Sequence, residues 1–169
     1  YHVDLTRGTV ETKTVPEDVY RTYPGGSALA AYLLLQQIPA GAEPLGPGNV
    51  LVMAVSPLTG LAISGQSRMT ACARSPLTGA IGDSQCGGFF PAEMRNAGAD
   101  AIVITGRAAE PVYLWLNEGR AELRPARHLW DKVTGEVDRL LKQEVGDAKA
   151  EVAQIGPAGE NLVRFAAIM

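Results

Sequence analysis

Apolar and polar residues alternate along several short segments of the chain, which is typical of half-buried β-strands. Polar and apolar residues alternate within 2–5 and within 9–15, on either side of Thr6-Arg7-Gly8. This pattern predicts a β-hairpin that turns at the glycine. Residues 50–55 are nearly all apolar, which predicts a central strand buried on both faces. Further strands are predicted at 68–74, 101–105, 112–116, 121–124, 151–155 and 162–169, those from 101 to 124 as a meander.

Helical signals are confined to four short segments. Pro16-Glu17-Asp18 begins the first, because proline and acidic side chains suit the first turn of a helix. Apolar residues recur at helical spacing in 28–37, with Ser27 as the predicted N-cap. The segment from the predicted N-cap Thr134 to Glu144 is amphipathic, and 91–96 predicts one more short helix. Strands and short helices in this mixture predict an α+β fold.

The pentapeptide Ser-Pro-Leu-Thr-Gly occurs twice, at 56–60 and again at 75–79. Each copy follows a strand-like segment, and coincidence between two proline turns is one interpretation. A five-residue identity favours the other, a duplicated strand-turn unit whose two turns flank one site. Residues 82–88, after the second copy, are expected to form a flexible loop.

Composition narrows the classes of protein. A length of 169 residues with 46% hydrophobic and 20% charged side chains fits one compact domain. The net charge of -3, with scattered basic residues, argues against nucleic-acid binding. No apolar run is long enough for a membrane span, so we expect a cytoplasmic protein without a membrane segment. The start at Tyr1 and the end inside an apolar run lead us to expect a piece trimmed from a longer chain.

The residues that commonly carry chemistry are sparse. Cys72 and Cys86 lie too far apart in sequence for a close-set metal pair, which favours buried free thiols. His2 and His128 lack metal-ligand spacing, and neither a nucleophile elbow nor a phosphate-binding Walker loop is present.

Glycine, serine and threonine are concentrated in 56–88, beside Arg68 and Arg74. Backbone amides and arginines suit phosphate groups, although ordinary turn chemistry explains the same composition.

Several longer strings carry a resemblance to a known family. They are the second Ser-Pro-Leu-Thr-Gly, Gly87-Gly88-Phe89-Phe90, the string from Ala97 to Gly106, and Ile155-Gly156-Pro157-Ala158-Gly159-Glu160-Asn161-Leu162-Val163-Arg164-Phe165-Ala166-Ala167-Ile168-Met169. In these strings, and over essentially its whole length, the chain resembles the aldehyde ferredoxin oxidoreductases. It is similar to their amino-terminal domain, which would make 1–169 a cofactor-cradling domain of a larger enzyme.

The resemblance implies a fold of two packed mixed β-sheets with an internal pseudo-two-fold duplication and a few short helices. It implies a tungsten or molybdenum bis-pyranopterin cofactor held on this domain, and a 4Fe-4S cluster bound by domains downstream. The whole enzyme would oxidise an aldehyde substrate to a carboxylate and pass electrons to ferredoxin, and the resemblance allows a homo-oligomer. The isolated 169 residues would be inactive and carry no catalytic residue.

The resemblance also assigns cofactor-binding residues. Arg68 matches a family arginine placed between a pterin and the cluster, and a structural salt bridge is the alternative role. Gln85, Cys86, Gly87 and Gly88 match a segment along the pterin. The backbone carbonyl of Gln85 would be a ligand of the magnesium that bridges the pterin phosphates, because magnesium prefers oxygen ligands.

The sequence departs from the family pattern at two places. Ser27 and Ala28 replace a frequent arginine and glycine, which questions a close backbone approach there, and Gln66-Ser67 replaces a glycine pair before Arg68. Two alternatives therefore stay open. One is a specialised relative such as the active-site subunit of a benzoyl-coenzyme A reductase, and the other is a non-catalytic scaffold that retains the fold.

Overall fold

The computed structural model describes residues 1–168. Its strands are β1 His2–Asp4, β2 Thr9–Glu11, β3 Val50–Val55, β4 Met69–Arg74, β5 Ile81–Cys86, β6 Ala101–Thr105, β7 Val112–Asn117 and β8 Arg120–Pro125. Its helices are α1 Glu17–Thr22, α2 Gly26–Leu35, α3 Phe90–Asn96, α4 Thr134–Val145 and α5 Gly156–Glu160, with a 3-10 turn at Arg127–Leu129. Within residues 1–168 no helix combines the length and apolar character that crossing a membrane requires.

Two sheets form the framework, and the predicted α+β class is confirmed. The larger sheet has the order β2-β1-β6-β3-β4-β5 and is mixed, because β1 and β6 are parallel while its other pairs are antiparallel. Strands β7 and β8 form a separate antiparallel sheet. The predicted first hairpin and the interior position of β3 are both confirmed.

Alternate residues of β3 point into two hydrophobic clusters on opposite faces of the large sheet. Val52 packs with Leu29 and Leu34 of α2, and all three are fully buried. Met53 packs in a second cluster with Met94 of α3. Leucines of β7 and β8 pack against that second cluster, so the small sheet covers the face opposite α2. This alternation explains why β3 is apolar at nearly every position.

Both predicted N-caps are wrong. The residue that caps α2 is Gly25, and the residue that caps α4 is Val133, and neither helix receives a side-chain cap hydrogen bond. Ser27 lies inside α2, and its hydroxyl is hydrogen-bonded to the Thr70 hydroxyl of β4, 3.1 Å away. A tertiary contact has replaced the local one that the sequence suggested.

The predicted loop at 82–88 is largely a strand, because β5 pairs along its full length with β4. Cross-strand pairing there outweighs the weak strand propensity of glycine and aspartate. The predicted meander is also wrong: β6 lies between β1 and β3, while β7 and β8 form their own hairpin.

The two strands predicted near the end of the chain are wrong as well. Residues 151–155 form no strand, and the predicted turn after them is helix α5, which has proline in its first turn. Residues 162–168 are turns and irregular backbone. Met169 lies outside the described residues.

The two Ser-Pro-Leu-Thr-Gly turns lie at opposite ends of the large sheet. The first follows β3 and the second follows β4, and these strands are antiparallel neighbours with Val55 opposite Met69. A six-residue strand separates them by about 20 Å. The turns therefore do not flank one site, although each opens with a serine hydroxyl that accepts from the amide two residues on.

Candidate functional site

Three segments meet at one end of the large sheet: the start of α2, the start of β4 and the end of β5. We call the residues 67–70 and 85–88 the β4–β5 rim. The register places Thr70 opposite Gln85 and Met69 opposite Cys86. The side-chain amide of Gln85 donates to the Ser27 hydroxyl at 3.3 Å, and the Ser27 hydroxyl also contacts that of Thr70. These side chains connect α2 to the rim.

Arg68 lies one residue before β4 and is exposed. Within residues 1–168 its guanidinium forms neither a hydrogen bond nor an ion pair, so the alternative of a structural salt bridge has no support. Its positive charge acts on the Cys86 thiol across the rim. The rim thus carries a cation that is available to a ligand.

Arg74, the other arginine of the glycine-rich region, has a different role. Its side chain donates to the carbonyls of Gly79 at 2.9 Å and Ala42 at 2.6 Å. Asn49 bonds the Arg74 backbone as well, at the end of β4 remote from the rim. This arginine is committed to holding loops together and does not belong to the candidate site.

Cys86 and Cys72 are both free and lie on opposite faces of the sheet. Cys72 belongs to the cluster beneath α2, while Cys86 packs against the cluster on the other face. Burial raises the pKa of the Cys86 thiol, partly opposed by the charge of Arg68. Burial also raises the pKa of Cys72, and Asp83 adds to this. The predicted buried free thiols are confirmed for Cys72, whereas Cys86 is only half-buried.

Gly87 and Gly88 present exposed backbone at the end of β5. Gly88 has φ of +88°, a conformation that favours glycine, and a Cβ there would meet nothing within 4 Å. The Ser67 hydroxyl donates to the Gly88 carbonyl at 2.6 Å, which ties the turn to the segment before Arg68. Glycine therefore leaves the backbone accessible at a position that the chain itself holds in place.

Gly25, which immediately precedes α2, makes a close approach to the end of β3. Its φ is +93°, and a Cβ at this position would lie 2.5 Å from the carbonyl oxygen of Val55. The approach is between the start of α2 and the end of β3, within the chain itself. It fixes where Ser27 stands relative to β4.

The hydroxyl residues of this region were missed by sequence reasoning. Ser27, Ser67, Thr59 and Thr70 make the contacts that join the rim to its neighbours. The one available signal was Thr70, a polar residue in a strand whose other residues before Arg74 are small or apolar. Short hydroxyl residues in glycine-rich loops are otherwise indistinguishable from ordinary turn residues.

The chemistry of the rim suits an anionic group with phosphates. It offers the free guanidinium of Arg68, the exposed backbone of Gly87 and Gly88, and nearby hydroxyls. Among residues 1–168 no three histidine, cysteine, aspartate or glutamate side chains cluster as metal ligands. Apolar side chains on the flanking segments are exposed, most of all Phe89 at 76%.

The family model described as the amino-terminal domain of aldehyde ferredoxin oxidoreductase matches residues 1–169. The chain is 43% identical over 167 residues to a tungsten-containing aldehyde ferredoxin oxidoreductase of Thermococcus kodakarensis, covering 99% of this chain and 28% of that protein. A protein of the same description from Pyrococcus furiosus is 42% identical over the same length and coverage.

More distant relatives act on other compounds. The WOR-like subunit of an aliphatic sulfonate oxidoreductase from Pyrococcus furiosus is 32% identical over 182 aligned positions, covering 99% of this chain and 29% of that protein. Among solved structures, the active-site complex BamBC of benzoyl coenzyme A reductase with 1,5-dienoyl-CoA matches with a TM-score of 0.96 and 36% identity. That match covers 99% of this chain and 26% of the other chain.

Proposed function

This chain belongs to the aldehyde ferredoxin oxidoreductase family, matching its amino-terminal domain, and from that premise we propose that it cradles a tungsten or molybdenum bis-pyranopterin cofactor. The protein of which it is a part would oxidise an aldehyde to a carboxylate in the cytoplasm and pass the electrons to ferredoxin. The chain spans about 28% of the length of the curated relatives it matches. The aldehyde oxidation that the longer protein would catalyse is therefore a proposal.

The observation that carries the proposal is the uncommitted guanidinium of Arg68 beside the exposed backbone of Gly87 and Gly88. An exposed cation gains little from the protein itself, whereas a phosphate or another anion can use its planar donors two at a time. Close approach of a flat, phosphate-bearing ring system needs backbone without side chains in front of it. The rim combines these properties within a few residues of β4 and β5.

Five residues of the rim have a part in the proposal. Arg68 would supply a fixed positive charge that binds the cofactor and favours electron transfer to the cluster. The backbone carbonyl of Gln85 would hold the magnesium of the pterin phosphates, and Cys86, Gly87 and Gly88 would contact the pterin. When bound, the cofactor supplies the two-electron redox chemistry, and the protein positions and tunes it.

The 4Fe-4S cluster and the substrate pocket are assigned to parts of the protein beyond these residues. The exposed apolar side chains next to the rim, such as Phe89, Ile63 and Leu61, are consistent with packing against further domains. We therefore expect the 169 residues alone to show no aldehyde oxidation.

The experiment is a set of arginine variants in the full-length protein, expressed anaerobically with tungstate and molybdate. Arg68→Ala should lower metal content and viologen-linked aldehyde oxidation at least tenfold, since losing a charged contact that the bound cofactor would bury costs about 2 to 5 kcal/mol. Arg68→Lys should recover only part, because an ammonium lacks the planar fork. Arg107→Ala, at another exposed arginine, is the control. Normal metal content and normal rates in Arg68→Ala would refute the assignment.

A second candidate is a reductase of the benzoyl-coenzyme A type, which uses the same base domain for reduction. It is favoured by the structural match to BamBC at a TM-score of 0.96. The full-length protein should be assayed with several aldehydes and with benzoyl-coenzyme A plus a low-potential reductant. Turnover of the thioester without aldehyde oxidation would select this second candidate.

A further inference from the structure

We infer that Thr59 and Gln66 are positioning residues for Arg68, a role that rests on the cofactor-binding function proposed above for Arg68. They lie in the loop that joins β3 to β4 and precedes the rim. Neither residue is proposed to contact the cofactor itself. They act by fixing the backbone from which the guanidinium projects.

Thr59 is the centre of this arrangement. It is 2% exposed, although threonine in a turn is ordinarily solvated. Its hydroxyl accepts a hydrogen bond from the Ser56 amide at 3.1 Å. The same hydroxyl lies 3.2 Å from the Arg68 carbonyl and 3.4 Å from the Gln66 carbonyl, and its single proton is donated to these two oxygens. A buried side chain thus connects the end of β3 to the backbone of Arg68.

Gln66 closes the same loop from the other side. Its side-chain oxygen accepts from the Gly60 amide at 2.9 Å, and its side-chain nitrogen donates to the Leu61 carbonyl at 2.5 Å. Its backbone carbonyl accepts from the Arg68 amide at 2.9 Å. Arg68 lies outside the residues of β4 that pair with β5. Its backbone N–H and carbonyl are instead both hydrogen-bonded to this loop.

The repeated pentapeptide provides a matched comparison within the chain. Thr78 occupies the same position in the second Ser-Pro-Leu-Thr-Gly but is exposed, and its hydroxyl accepts from the nearby Ala80 amide at 3.3 Å. The two threonines have the same four neighbours in sequence. Their difference in burial and partners lies in the tertiary structure, and only Thr59 reaches the rim.

The test uses the full-length protein and measures two quantities. One is the metal bound per protein, which Thr59→Val and Gln66→Met should lower as Arg68→Ala does, and the other is aldehyde oxidation per bound metal ion. Thr59→Val removes the hydroxyl without changing the shape, and should lower the rate per metal about tenfold, as expected for a lost buried hydrogen bond. Thr59→Ser should restore the rate, and Thr78→Val should match the wild type. Gln66→Met, at a less buried position, should reproduce the effect of Thr59→Val even if that variant folds poorly.

A double-mutant cycle separates positioning from general stability. If Thr59 acts through Arg68, Thr59→Val should have no further effect on the rate per metal in an Arg68→Ala background. Additive losses, or a Thr59→Val rate equal to that of Thr78→Val, would overturn the inference. A loss in Arg68→Ala without any loss in Thr59→Val or Gln66→Met refutes only the positioning role. Unchanged activity in Arg68→Ala refutes the proposed function and this inference together.

Discussion

Substituting Gly25 by alanine tests how the start of α2 is built against the sheet. The backbone there has φ of 93° and ψ of -174°, a region essentially restricted to glycine. Holding alanine in it costs about 1 to 3 kcal/mol. The added Cβ would also lie 2.5 Å from the Val55 carbonyl oxygen and 2.8 Å from Cδ of Pro57, so the chain must shift. Shifts of that kind in a packed region cost about 1 to 3 kcal/mol more.

The sum of these two costs, about 2 to 6 kcal/mol, is a large part of the stability of an ordinary domain. Gly41→Ala is the matched control, because Gly41 also has a positive φ of +75° but a Cβ there would meet nothing within 4 Å. It should cost only about 1 to 2 kcal/mol.

Urea unfolding of the 169-residue chain, followed by circular dichroism, gives both free energies of unfolding. Gly25→Ala should be the more destabilising of the two by at least about 1 kcal/mol, because it alone adds steric overlap to the backbone cost. Equal losses for the two variants would show that α2 does not approach β3 as described, and the contact of Ser27 with Thr70 would lose its support.

Three further predictions concern other parts of the chain. A thiol reagent should modify Cys86 in the native protein at a rate that rises with pH because the thiolate is the reactive form, and the rise should extend above the ordinary thiol range because burial raises the Cys86 pKa. Cys72 should react only on unfolding, and two fast thiols would contradict the assigned faces. The pKa of Glu144 is lowered by hydrogen bonds from the Tyr113 hydroxyl and then from His128. The ionised carboxylate therefore stabilises the fold above its ordinary pKa of 4.5, and this contribution is lost as the pH falls below 4.5. Tyr113→Phe should make that loss shallower in acid unfolding, and an unchanged slope would argue against the contact. The isolated 169 residues should show no viologen-linked aldehyde oxidation, and turnover above background would refute the assignment of the remaining machinery to other domains.

The elements that could be predicted from sequence are those whose own hydrophobic pattern determines their structure without information on their tertiary partners. Strand β3 is apolar at every position, so it is buried wherever it lies. Strand β5 could not be predicted, because Gly82, Asp83 and Ser84 have weak strand propensity and are held by their partners in β4. Residues 151–155 alternate like a strand but find no partner within residues 1–168. Pairing between distant segments decides such cases.

The candidate site divides in the same way. Arg68 and the segment from Gln85 to Gly88 were predicted through family resemblance, and the structure brings them together on the rim. Thr59 could not be identified, because its pentapeptide is identical to the one around Thr78 and only burial distinguishes them. A local sequence carries no information on which copy is covered by the rest of the fold.

The most direct test of the account is an experimental structure of the full-length protein loaded with its metal cofactor. We predict the pterin along Gly87 and Gly88, with the Arg68 guanidinium within hydrogen-bonding distance of it and the Gln85 carbonyl bound to magnesium. A cofactor bound elsewhere, or an Arg68 side chain turned away from it into solvent, would contradict the central claim.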